Sequence, residues 1–136
     1  MQKRGQVSIE YLLTVGFVLA IIIPVSVLAY NSYAEYRDTL QTRQVYLALT
    51  TVSDHAQSVY NIGPPSFSTV NIYFPDSVQS IFFSNETITA RMQTQYGQED
   101  ITVFTSVPLS GSLSAREGTR SVLVTATGSG VSIAES

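Results

Sequence analysis

The sequence predicts an α+β protein in which a long N-terminal hydrophobic helix packs on a small antiparallel β domain of about six strands. Three observations predict it. Tyr11 to Tyr30 holds no charged residue, a run about as long as a helix that crosses a bilayer. Val45, Leu49, Val52, Ala56 and Val59 then recur at i, i+4, i+7, i+11 and i+14, one stripe of a 3.6-residue period. Beyond Ser68 the apolar period falls to two, the pattern of strands with one buried face and one wet face.

The helix is expected from about Ser8 to Tyr60. Arg43, Asp54 and Gln57 fall off its apolar stripe, as residues on a solvated face should. Pro24 removes a backbone donor, so a kink or local melt is expected near Ala20 to Pro24. "NIGPPSFS", Asn61 to Ser68, supplies the stop: Gly63 can end the helix and Pro64-Pro65 cannot continue it. Val70, Ile72 and Phe74 then alternate with Asn71, Tyr73 and Pro75. Ile88, Ala90 and Met92, and later Val122, Val124 and Ala126, alternate with polar or half-exposed neighbours in the same way. Strands are expected near 69–75, 78–84, 86–94, 101–107, 119–127 and 130–134. Turns are expected at Ser84–Glu86, Tyr96–Asp100, Arg116–Gly118 and Gly128–Gly130. A sheet of this size is small for a free-standing core, and the apolar stripe of the helix would complete it.

Composition narrows the function. The chain has 136 residues, a formal charge of −3 and no cysteine. After Arg4 the positive residues are Arg37, Arg43, Arg91, Arg116 and Arg120, scattered singly, which argues against a nucleic-acid partner. No disulfide framework or thiol metal site is available. Charged residues make up only 12% of the chain, whereas Ser and Thr together supply roughly a quarter, a surface suited to an extracellular protein. Lys3 and Arg4 precede the apolar run and the next positive residue is Arg37. The positive-inside bias therefore keeps the N-terminus in the cytoplasm and sends the rest outside.

No catalytic constellation, nucleophile elbow, phosphate loop or metal spacing is found, so neither an enzyme nor a cofactor is expected. His55, the one histidine, reads as a solvated or packed helix residue. Glu99-Asp100 reads as a solvated acidic pair. Asn85-Glu86-Thr87 is an N-glycosylation sequon at an expected turn, which makes Asn85 a candidate modification site.

The charge that needs explaining is Glu10, set at the start of the apolar run. A carboxylate at the centre of a bilayer costs about 2.5–3.5 kcal/mol on insertion scales and less toward the interface. A boundary marker beside Lys3 and Arg4 is one reading. "KRGQVSIEYLL" also resembles the processing site of archaeal type IV pilin precursors, the group with a class III signal peptide. There a short basic leader ends in Gly and the pattern Q-x-S-x-E follows. Lys3-Arg4-Gly5 matches the leader end, and Gln6, Ser8 and Glu10 match the pattern in register. The family often has Leu four residues after the Glu; here that position is Thr14.

The resemblance implies cleavage between Gly5 and Gln6 by a prepilin peptidase. It also implies assembly by a pilus ATPase and platform protein into a helical homo-oligomer, a filament that leaves the membrane and serves adhesion or surface attachment. It implies that Glu10 pairs with the new N-terminal amine of a neighbouring subunit, and that the apolar helix, including Leu12, Leu13, Gly16, Phe17, Ala20, Ile22 and Pro24, packs the filament core. Gly16 and Ala20 at i, i+4 permit close helix approach, although plain lipid-facing packing explains the pair equally well. A secretory signal loses its apolar segment on cleavage; here the Gly precedes the segment, so the helix is kept. Removing Lys3 and Arg4 from a chain of formal charge −3 leaves −5. The expected organisation is a leader over 1–5, the hydrophobic half-helix over 6–30, its amphipathic half over 31–62, a linker over 63–68 and the β domain over 69–136. The rivals are a minor pilin and a single-pass membrane protein that presents its β domain as a binding module.

Overall fold

The computed structural model describes residues 3–136, with side chains from Gly5 onward, so the first two residues of the expected leader lie outside the described residues. The chain forms two compact units divided between Arg37 and Asp38. Helix α1, Lys3–Ile62, contributes to both.

In the first unit every described residue is helical, and no side chain from Gly5 to Arg37 is buried. Of the kink or local melt expected near Ala20 to Pro24, the melt does not occur: the helix continues without a break through Pro24. Proline removes one i→i−4 bond, and a cooperative ladder with intact turns on both sides survives a single omission.

In the second unit α1 is half-buried, and the five residues of its predicted stripe all lie in the core. Val45, Leu49, Val52 and Ala56 are wholly shielded from solvent. The helix ends where expected: Gly63 adopts a φ of 84°, and its N–H donates to the Val59 carbonyl at 3.1 Å. The Ser66 hydroxyl donates to the same carbonyl at 2.8 Å, which satisfies an acceptor left over at the helix end.

The strands are β1 (Phe67–Phe74), β2 (Val78–Thr94), β3 (Gly97–Gly111), β4 (Gly118–Thr127) and β5 (Gly130–Glu135). They form one sheet in the order β1-β4-β5-β3-β2. Pairings are antiparallel except between β3 and β5, which run parallel over Leu109–Gly111 and Val131–Ile133. The sheet is thus mostly antiparallel, as expected, with one short parallel contact. The β2–β3 register also shifts, between Asn85 and Thr87.

The expected count of about six strands becomes five continuous ones, and the reason lies inside β2. The Gln93 N–H donates to the Ser77 carbonyl at 2.8 Å. Residues that far apart in a straight strand would be separated by about 50 Å. Gln79 also bonds Gln93, at 3.3 Å, and the Arg91 guanidinium lies 5.8 Å from the centre of the Phe82 ring. β2 therefore doubles back on itself. The reversal is at Asn85, whose φ of 42° is one that Asn tolerates better than most residues. The Thr87 hydroxyl closes it on the Ser84 carbonyl at 3.0 Å. The turn expected at Ser84–Glu86 is therefore made, and β2 holds the two strands expected near 78–84 and 86–94 as its two arms.

β1 and β2 occupy opposite margins of the sheet, yet only residues 75–77 separate them. Such a link spans at most about 14 Å from Phe74 to Val78. The margins must come close there, so the sheet curls around the buried stripe of α1. At the other loop, Arg120 pairs with Glu135. It also donates to the Ser114 hydroxyl at 2.9 Å, tying the segment before β4 to the last strand.

Candidate functional site

The candidate site is the first unit's stretch of α1, and its chemistry is a row of apolar side chains with nothing against them. Leu12, Leu13 and Phe17 are each about two-thirds exposed, and Ile22 about half. The most apolar 18-residue window of the helix has a mean hydropathy of 2.7 and is entirely unburied. By length and composition α1 is able to cross a membrane. Farther along the same helix, Val45, Leu49, Val52, Ala56 and Val59 are buried in the core with the sheet, so among the described residues one helix carries an exposed apolar surface and a buried one.

Gln6, Ser8 and Glu10 lie in the first turns of α1, exposed, with Gly5 just before them. Among the described residues nothing pairs with the Glu10 carboxylate. The Thr14 hydroxyl donates to the Glu10 carbonyl at 2.8 Å, and Ser26 does the same to Ile22 at 2.8 Å. These hydroxyls are thus satisfied within the helix, as an apolar environment requires. Gly16 and Ala20 share a face, and a Cβ added at Gly16 would meet open space.

The other candidates are dispersed over the second unit. His55 Nδ1 is 2.8 Å from the Ser68 hydroxyl, a link between α1 and β1. Asn85 is exposed at the reversal of β2. Asp100 does not stand as half of an acidic pair: Arg91 donates to its two carboxylate oxygens at 2.8 Å each. That guanidinium holds the Asp100 carboxyl below the usual aspartate range by hydrogen bonding. Among the described residues no three His, Cys, Asp or Glu gather closely enough to hold a metal.

Two open grooves flank Leu47. One, about 500 Å³, runs between α1 and β3 beside Tyr46 and Ile101. The other, about 410 Å³, lies toward Tyr73 of β1. The first also borders Arg43, Glu99 and Asp100, and the second Gln44 and Asn71. Sequence periodicity missed them because Tyr46 and Leu47 fall off the buried stripe and read only as surface residues.

Comparison with protein-family models, curated proteins and solved structures returned no match.

Proposed function

We propose that this chain is the structural subunit of an extracellular type IV pilus-like filament, held in the membrane as a precursor and assembled after cleavage between Gly5 and Gln6. The observation that carries the reading is the change of state along α1. Its Val45–Val59 stripe is enclosed by the chain's own sheet, whereas Leu12, Leu13, Phe17 and their neighbours have no internal partner. An apolar helix of that length needs lipid or other helices around it, and a filament core supplies helices. The Q-x-S-x-E register of Gln6, Ser8 and Glu10 directly after Gly5 supports the same reading.

In the filament Glu10 requires a counter-charge, because a buried unpaired ion costs several kcal/mol. The α-amino group of Gln6 on a neighbouring copy fills that role, and it exists only after cleavage. Assembly then proceeds in an order set by chemistry: insertion, removal of the leader, extraction by an ATPase and platform protein, and packing. No cofactor or catalytic step enters. Adhesion or surface attachment would be the role of the finished fibre.

The experiment is intact mass and N-terminal sequencing of the protein in material sheared from cells. A start at Gln6 in that fraction supports a processed filament subunit. A start at Met1, found only in the membrane pellet, removes the filament reading. Glu10→Ala should abolish the sheared fraction while the second unit stays folded. The second reading is a single-pass anchored binding module, favoured by the same helix's capacity to cross a bilayer; for it Glu10→Ala would be neutral. A minor pilin would show the same processing at low abundance.

A further inference from the structure

We infer that tyrosines at both ends of the apolar run fix the depth of α1 in a lipid bilayer, with the hydrocarbon spanning Tyr11 to Tyr30 and Glu10 held at headgroup level. The inference rests on α1 crossing a membrane, which the filament and anchored readings share, and not on polymerisation.

Tyr11 and Tyr30 are 19 positions apart in an unbroken helix, or about 29 Å at 1.5 Å per residue. The hydrocarbon core of a bilayer is about 30 Å thick. Between the two tyrosines there is no ionisable side chain. The two hydroxyls at Thr14 and Ser26 are turned back onto the carbonyls of Glu10 and Ile22, so neither asks for water. The polarity changes at once on both sides. Gln6, Ser8 and Glu10 stand before Tyr11, and Asn31, Ser32, Glu35 and Arg37 follow Tyr30.

Among the described residues the tyrosines bury no ring against the rest of the chain. Tyr11, Tyr30, Tyr33 and Tyr36 are all exposed. Tyr30, Tyr33 and Tyr36 are spaced three apart, which spreads them over about a third of the helix circumference just beyond the run. Phenol rings with an apolar body and a polar tip concentrate at the membrane–water boundary. The chain has no tryptophan, so tyrosine is the only side chain here able to play that part at both levels. Glu10, one residue outside Tyr11, then sits among headgroups and water. The ionised carboxylate can wait in the membrane without entering oil.

The absence of tryptophan and cysteine makes the test clean, because an introduced reporter is unique. The full chain, carrying Tyr11→Trp, Ile21→Trp or Tyr30→Trp, is reconstituted into phosphatidylcholine vesicles with bromines at defined acyl depths. These positions are exposed, so the core of the second unit is untouched. The expected result is deepest quenching for Ile21→Trp, with Tyr11→Trp and Tyr30→Trp equally shallow and about 14 Å nearer their respective surfaces. A minimum displaced by a turn or more toward either end overturns the register, as does equal quenching at all three positions. Replacing Tyr30, Tyr33 and Tyr36 by Ala in the Ile21→Trp background removes the aromatic anchors at that end, so the reporter should lose its central depth and its quenching profile should shift measurably. An unchanged depth would show that the tyrosines do not set it. Neither failure touches the filament reading, which stands or falls on the N-terminus found in sheared material.

Discussion

The carboxylate of Asp38 accepts the backbone N–H of Gln95 at 2.8 Å, across 57 residues of sequence. Three residues on, Gln41 donates to Asp76 at 3.0 Å. One helical turn thus holds both the β2–β3 hairpin and the β1–β2 link, at the very start of the second unit. The grip is polar and exposed, so each bond contributes modestly. Asp38→Ala should cost about 1 kcal/mol and speed hydrogen exchange at the Gln95 amide. Asp38→Asn keeps an acceptor oxygen and should restore most of the protection. Identical exchange at Gln95 in all three proteins would show that the bond does not persist in solution.

Leu49 and Leu47 are two residues apart on α1 and should behave oppositely. Leu49 is fully buried and Leu47 is 63% exposed. Leu49→Ala should cost about 2–5 kcal/mol through lost burial and the cavity left behind. Leu47→Ala should stay within about 0.5 kcal/mol. Urea unfolding of the full chain in detergent measures both; similar midpoints for the two variants would contradict the packing described.

Gly111 sits where β3 meets β5, with a φ of 140°, and a Cβ there would overlap the backbone carbonyl of Ile133. Gly111→Ala must part the strands or twist the backbone, at a cost of about 1–3 kcal/mol. Gly128, at the β4–β5 turn, has open space around its Cα. Gly128→Ala is the control, expected to leave the melting temperature nearly unchanged.

The Arg91–Asp100 pair gives a pH dependence with a definite sign. Asp100 titrates below its ordinary value of 3.8, chiefly because Arg91 hydrogen-bonds the ionised form. A carboxyl whose folded pKa is depressed stabilises the fold above its unfolded pKa and loses that contribution as pH falls through the folded one. Asp100→Asn should therefore melt slightly lower than the parent at neutral pH. The gap should close as pH drops below 3.8. A gap that persists unchanged at about pH 2 would assign the effect to packing rather than ionisation.

Much of this architecture was legible because apolar spacing reports burial directly. Val45, Leu49, Val52, Ala56 and Val59 announce a helix face, and Val70, Ile72 and Phe74 a strand face, before any partner is known. The helix stop at Gly63 was equally plain, since glycine followed by two prolines can do little else. The candidate assembly segment was legible for a related reason. An uncharged run interrupted only by hydroxyls, with Glu10 at its edge, states the solvent it requires.

Other features depended on residues distant in sequence. The reversal at Asn85 read as a turn; that its two arms lie side by side follows from the contacts of Ser77, Gln79 and Phe82 with Gln93 and Arg91. Pro24 read as a kink or local melt within one helix, but helix cooperativity carries the hydrogen-bonded chain past one missing bond. The parallel contact of β3 with β5 and the hold of Asp38 on Gln95 have no local signature, because period and propensity describe a segment's own faces and not the segment it meets. By itself the sequence determined which surfaces must leave water: the run from Tyr11 to Tyr30 and the stripe from Val45 to Val59. Only the tertiary structure decided that the second is enclosed by a sheet curling back on itself, while the first stays exposed among the described residues. Burying apolar area is a demand any suitable surface can meet, and only the folded chain shows which surface meets it.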